Sequence, residues 1–438
     1  MRTVDRESAV LNTVTIAWLI TSTYYFYQYV LRSAPSVMVP ELTEAFGVTA
    51  AGLTSLLGFF YYGYAIFSLV AGIAMDQLGP RLVVPAGAAT VGVGALLFST
   101  GNVSLAGLGR LLQGVGGVFA LIGAIYLVSS RFPASRAATF IGATQMFGMA
   151  GGSAGQFLVG PAIARGLPWD RFWALMGATG LVIAALLFFA VPGRETKDEE
   201  TSRPSAGWAR NALGAMWVVF RNPQSLLCGF IAGLMFIPTT IFDMVWGVRF
   251  LQESHAVPYA EAVMRSASVP FGWIIGCPLL GALSDRIGRR KPVILGSAAV
   301  LLGCLVFILY GSPDTFPAYS LGLVAGIASG AAMLPYTVIK EANRPEHSGT
   351  ATGVINFINF SFSALLGPVF GFLLLRLSAG GPRALEHYQA TFVPLALGVA
   401  VAIVLTLFLR ETGPDARAAS ILEARQKPPT KGRSAAGS

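Results

Sequence analysis

The chain has 438 residues, 54% of them hydrophobic and only 12% charged, with 51 glycines and a mean hydropathy of +0.65. A soluble protein of this length carries about twice that charge fraction, so a water-soluble globular chain is excluded. A net charge of +9 invites a nucleic-acid reading, but its placement, described below, argues against one.

Apolar runs of about 20 residues cross the hydrocarbon core as helices. Twelve are expected, roughly at 13–37, 51–75, 82–101, 104–130, 137–164, 172–191, 224–250, 262–284, 291–310, 316–340, 349–376 and 389–409. Short alternating barrel segments are absent, which leaves a helical bundle as the spanning solution. The N-terminus lacks a short apolar region followed by a small-residue cleavage site, so span 1 is expected to be retained.

Span 1 places Tyr24, Gln28 and Arg32 at i, i+4 spacing on one face, with Tyr25 and Tyr29 on the adjoining one. The loop after span 2 reads Gly72-Ile-Ala-Met-Asp76-Gln-Leu-Gly79-Pro-Arg81. Span 4 carries Arg110, Gln113 and Gly114. After span 6 the charge rises abruptly through Arg194, Glu195, Lys197 and Asp198, and Leu213, Met216, Trp217 and Phe220 follow at helical spacing. That pattern suits a helix lying on the inner leaflet.

Span 7 holds Asp243. The loop after span 8 repeats the earlier one at an offset of 209 residues, as Gly281-Ala-Leu-Ser-Asp285-Arg286-Ile-Gly288-Arg-Arg290. Span 10 holds Pro335 and Tyr336 and ends at Lys340 and Glu341, a gate pair or a solvated one. Span 11 places Asn356 and Asn359 three apart. Arg194-Glu195-Thr196 after span 6 matches Arg410-Glu411-Thr412 after span 12. These repeats mean two homologous halves. The expected organisation is a six-helix bundle over 1–192, a linker with a surface helix over 193–222, a second bundle over 223–412, and a disordered basic tail over 413–438.

The charge supports the same picture. Of 30 Lys and Arg, six lie in the outer loops or at the span ends that border them (Arg165, Arg171, Arg249, Arg265, Arg376, Arg383) and two, Arg32 and Arg110, well inside spans; the rest sit at the termini, in the remaining loops or at the span ends that border those. The positive-inside rule then puts both termini in the cytoplasm, and no nucleic-acid partner is implied. Cys228, Cys277 and Cys304 all lie in spans, so no disulfide framework is expected. None of the five lysines is followed by Ser or Thr, which removes a Walker site. None of the three histidines begins a zinc-protease motif, and Gly151-Gly-Ser153-Ala-Gly155 reads as helix packing in a membrane span, not a hydrolase elbow. No enzyme, metal or cofactor is expected.

On these residues the span from 13 to 410 resembles the major facilitator superfamily. The loop motif Gly72, Asp76, Gly79, Arg81 and its copy Gly281, Asp285, Arg286, Gly288, Arg290 match the family signature, as Arg110, Gln113 and Gly114 match its span 4 pattern. The run Phe26 to Met38 is similar to bacterial nutrient and metabolite importers of that superfamily, including the phagosomal-transporter branch. Gly160-Pro161 in span 5 lacks the full glycine pattern of family antiporters, which favours uptake. The resemblance implies an all-α fold of twelve transmembrane helices in two pseudo-symmetric six-helix bundles. It also implies that Asp76 and Asp285 each lie near the start of a helix from the opposite half, span 11 or span 5, as a conformational latch.

Arg32, Arg110 and Asp243 are the ionisable residues well inside spans. Each costs about 2.5–3.5 kcal/mol at mid-membrane, so each is expected to face a cavity or a partner. Arg32 and Asp243 occupy equivalent depths in the two halves, and they are expected to face each other near the outer mouth, with Asp243 as proton-coupling or gating group. Tyr24, Gln28, Arg32, Arg110, Asn356 and Asn359 are expected to bind substrate. The function expected is secondary active transport of a small, carboxylate-bearing solute across a bacterial-type inner membrane by rocker-switch alternating access, with proton-coupled uptake, by a monomer in the lipid bilayer. The alternatives are an efflux antiporter and a solute sensor that does not cycle.

Overall fold

A computed structural model describes residues 2–192, 208–315, 317, 319–379 and 381–415; side chains at 2–12, 50, 51, 54, 164, 208–212, 244, 245, 259, 260, 363, 367 and 368 are not described. The expected tail beyond 415 and the linker segment 193–207 lie outside the described residues.

The first bundle contains α1 (Arg2–Ser33), α2 (Ala50–Leu78), α3 (Pro80–Phe98), α4 (Val103–Arg131), α5 (Ala137–Phe157, continued by Val159–Ala164) and α6 (Trp169–Ala190). The second contains α7 (Pro223–Ile237, then a π-helical stretch Pro238–Gly247 and Val248–His255), α8 (Tyr259–Ile287), α9 (Lys291–Tyr310), α10, α11 (Ser348–Leu377) and α12 (Leu385–Phe408). Helix α10 runs Ser320–Ser329, tightens to a 3-10 turn at Gly330–Met333 and resumes at Leu334–Glu341. A linker helix, Trp208–Arg221, precedes α7 and packs on α2, α7 and α11.

Local signals explain where these helices begin. Thr49 Oγ1 accepts from Gly52 N (3.1 Å), Asn102 Oδ1 from Leu105 N (3.1 Å) and Asn222 Oδ1 from Gln224 N (3.0 Å). Each satisfies an N–H that the helix leaves open. Pro80 and Pro223 open α3 and α7, where a missing N–H costs nothing. Gly288 ends α8 at φ 71°, a left-handed conformation that glycine adopts without a Cβ penalty.

Ten helices among the described residues are long and apolar enough to cross a membrane. The two others, α1 and α5, carry more polar groups, such as Gln28 and Arg32 or Gln145 and Ser153. They pack against neighbours inside the bundle: α1 against α4, α5 and α6, and α5 against α1 and α8. Outward positions are apolar, as at Leu186, Phe189, Leu397 and Val404, which suits a lipid-facing surface.

The halves meet along α2–α11 and α5–α8. Backbones touch there because the crossing residues are small. A Cβ at Gly72 would lie 3.0 Å from the carbonyl carbon of Gly349, and one at Gly281 would lie 2.7 Å from that of Ala138.

Candidate functional site: a cationic centre between two bundles

At the face carrying the two repeated loops, here the signature face, both motif aspartates reach the opposite half. Asp76 accepts from Gly349 N, Thr350 N and Thr350 Oγ1, each at 2.6 Å. These donors open α11, where the helix dipole also favours a carboxylate. Asp285 accepts from Thr139 N and Thr139 Oγ1 at 2.8 Å, at the start of α5.

Asp285 is also paired with Arg290 (2.6 Å), which is fully buried and binds Glu341 of α10 (3.0 Å) and Ser284 Oγ (3.1 Å). The two carboxylates hold the Arg290 guanidinium above the usual arginine range against the opposing effect of burial. Glu411 accepts from Arg290 N (2.6 Å) and Lys291 N (3.2 Å) at the start of α9. Arg81 and Arg286 are exposed, whereas Gly79 and Gly288 turn the chain at φ 76° and 71°. With both aspartates engaged, the signature face is closed.

Above this closure the bundles enclose the Arg32 guanidinium. Its carbon lies 5.0 Å from the ring centre of Tyr29, 5.1 Å from Tyr61, 5.8 Å from Phe60 and 5.3 Å from Phe360. Three of the rings come from α1 and α2, and Phe360 comes from α11 of the other half. Such rings attract a cation by their quadrupoles. Arg32 Nη1 is buried and has no hydrogen-bond partner among the described residues; the same holds for both side-chain polar atoms of Gln28 and for Oδ1 of Asn359. Buried polar atoms in this condition are costly unless something else meets them.

Arg110 shares Phe60 with Arg32, at 5.1 Å from the ring centre. Its Nη1 donates to the carbonyl of Leu31 (3.1 Å) and to Gln113 Oε1 (2.7 Å). It therefore ties α4 to the end of α1. Tyr24 donates to Gly116 O (2.7 Å), a helix–helix contact. Asn356 donates to Ser68 Oγ of the other half (2.8 Å) and accepts from Tyr336 OH (3.1 Å), which accepts in turn from Asn359 Nδ2 (3.0 Å).

Arg32 and Asp243 do not face each other here. Asp243 lies in the π-helical stretch of α7 and looks into the second bundle. It lines a half-open cavity with Ser266 of α8, Phe307 of α9 and Leu321 of α10. Ser266 Oγ donates to Asp243 Oδ1 (3.1 Å), while Oδ2 is buried with no partner among the described residues. The winding of α7 supplies the reason. An i→i+5 stretch advances fewer degrees per residue than an α-helix, so equal depth in the two halves does not mean equal azimuth. The aromatic box around Arg32 was not anticipated; the run Phe59-Phe60-Tyr61-Tyr62 in span 2 was the available signal.

Two bundles of membrane-length helices meet around a buried cation and are tied together at one face by the Asp76 and Asp285 hydrogen bonds. The family model of the Major Facilitator Superfamily matches residues 21–368, and the chain belongs to that superfamily. It is 24% identical to a probable sulfoacetate transporter of Cupriavidus necator over 91% of this chain and 95% of the relative. It is 25% identical to the hexuronate transporter of Bacillus subtilis, over 84% and 90%. An efflux pump of Mycolicibacterium smegmatis matches at 25%, over 79% and 81%. Among solved structures, the fucose:proton symporter FucP of E. coli superposes with a TM-score of 0.70 at 17% identity, covering 91% of this chain and 99% of that one. The protein is thus a multi-pass membrane transporter of small solutes, working by secondary transport, and not an enzyme.

Proposed function

We propose that this transporter carries a small organic acid, with the solute carboxylate bound by Arg32 and its other polar groups met by Gln28 and Asn359. The observation that carries this reading is the buried Arg32 Nη1 without a partner, held in an aromatic box drawn from both halves. A guanidinium offers parallel N–H groups matched to a carboxylate. A solute bridging α1 and α11 makes different contacts in each state, which is what lets it bias the exchange between them. Sulfoacetate and hexuronates, named for two relatives, are anions of this class. Arg110, Tyr24 and Asn356 then position the site from behind.

The moving units are residues 1–192 and 223–412, joined by 193–222, and the chain works as a monomer. Its basic signature face is cytoplasmic by the positive-inside rule, as are both termini, in a bacterial-type inner membrane. Direction is uptake, driven by protons. Asp243 is the proton-carrying group, acting from its own cavity in the second bundle without pairing directly to Arg32.

A thermal-shift series on purified protein tests the binding site, since a ligand of the folded form raises its melting point. Sulfoacetate and D-glucuronate should stabilise the wild type, and Arg32→Gln should lose that response. Equal stabilisation of the variant, or a response to neutral sugars alone, would overturn it. For coupling, Asp243→Asn should abolish uphill accumulation in proteoliposomes yet retain counterflow exchange; accumulation that persists removes Asp243 from the role.

A further inference from the structure

Directly below the central site lies a second cation that the reading above does not use. Lys340, in the last turn of α10, crosses to the other half and donates from Nζ to the carbonyl of Ile125 in α4 (3.0 Å). An ammonium has three protons to place, and this is the one hydrogen bond it makes among the described residues. The carboxylates that act on it, Asp76 and Glu341, are committed elsewhere: Asp76 to the start of α11, Glu341 to Arg290 and to Thr412 Oγ1 (2.7 Å). A partly buried lysine without a carboxylate of its own is costly.

Its surroundings suit a ligand. Lys340 lines an open recess at the signature face, with Ser129 of α4, Thr337 and Glu341 of α10 and Ser348 of α11 among its walls; the Glu341 carboxylate is held by Arg290 and Thr412. Thr337 is 2% exposed and Ser348 9%, and the hydroxyl of each is buried without a hydrogen-bond partner among the described residues. The recess connects upward along a polar ladder. Lys340 stands one turn from Tyr336, which is bonded to Asn356 and Asn359, and Asn359 precedes Phe360 of the box around Arg32.

We propose that Lys340 is a second anion-binding position: when the signature face opens and its bond to Ile125 breaks, it takes the solute's carboxylate from Arg32 and presents it for release. In the closed state the same bond ties the halves and keeps the charge occupied. Arg32 and Lys340 thus form two stations, each available in one state. The assignment rests on the reading of Arg32 as a carboxylate site, but its test does not need the solute.

Ser129→Cys is introduced into a background in which Cys228, Cys277 and Cys304 are replaced by alanine, and the protein is held in nanodiscs so that both faces are open to reagent. The rates of modification by an anionic ethylsulfonate and a cationic trimethylammonium methanethiosulfonate are compared. With Lys340 present the anion should be preferred. Lys340→Gln should lower the anion-to-cation ratio about tenfold or more, as one lost charge at short range implies, and Lys340→Arg should restore it. The ratio corrects for a general loosening of the closed state, which speeds both reagents alike, and the arginine variant controls for misfolding. A ratio within twofold of the parent overturns the proposal. Arg32→Gln run in parallel separates the two readings. If that variant keeps its thermal response to sulfoacetate and D-glucuronate while Lys340→Gln still collapses the ratio, the central site falls and the lower station stands.

Discussion

The two signature loops share a motif and a geometry but not a fate for their last arginine. Arg290 is fully buried between Asp285 and Glu341, whereas Arg81, its equivalent at the repeat offset, is exposed. The difference lies in a neighbouring helix. The end of α10 supplies Glu341, while the corresponding end of α4 and the turn after it, residues 125–136, contain Arg131 and Arg136 and no carboxylate. One acid on an adjacent helix turns a loop arginine into the hub of the α8–α9 corner. The aspartates behave alike because their partners are backbone N–H groups at a helix start, which any sequence provides.

Substitutions break this comparison in order of expected effect. Arg290→Ala leaves Asp285 and Glu341 without their buried cation and should cost about 3–5 kcal/mol, read as a large drop in the melting point in detergent. Next comes Asp76→Asn, which weakens three charge-assisted bonds across the halves, a loss of about 1–3 kcal/mol. It should speed labelling of Cys introduced at Ser129 more than Asp285→Asn does, because all the bonds described for Asp76 cross the interface while Asp285 divides its own between Thr139 and Arg290. Gly281→Ala and Gly72→Ala should each disfavour the closed face by about 1–3 kcal/mol through backbone overlap, slowing exchange in proteoliposomes with little change in the melting point of either bundle. Arg81→Ala should leave the melting point unchanged; a drop approaching that of Arg290→Ala would mean that the two corners are equivalent after all.

The twelve helices were legible because lipid demands apolar length and internal hydrogen bonding, constraints that act on sequence locally. Most observed limits stay close to the expected ones, as in α9 at Lys291–Tyr310 and α4 at Val103–Arg131, whereas α1, expected over 13–37, runs Arg2–Ser33. Asp76 and Asp285 were legible through their repeat and the family motif, and Arg32 through the cost of a charge at that depth.

The rotation of each helix about its axis was not legible. Arg110 and Asn356 each bond to a neighbouring helix, a contact that the spacing did not reveal, and Asp243 turned away from Arg32 because α7 changes its winding after Pro238. Sequence alone determined how many helices cross, how deep each charge sits and which loops repeat, since hydropathy and spacing are properties of one chain segment at a time. Tertiary structure alone decided which charges meet: contacts such as Phe360 on Arg32, or Ile125 on Lys340, join segments hundreds of residues apart whose facing depends on how the bundles pack.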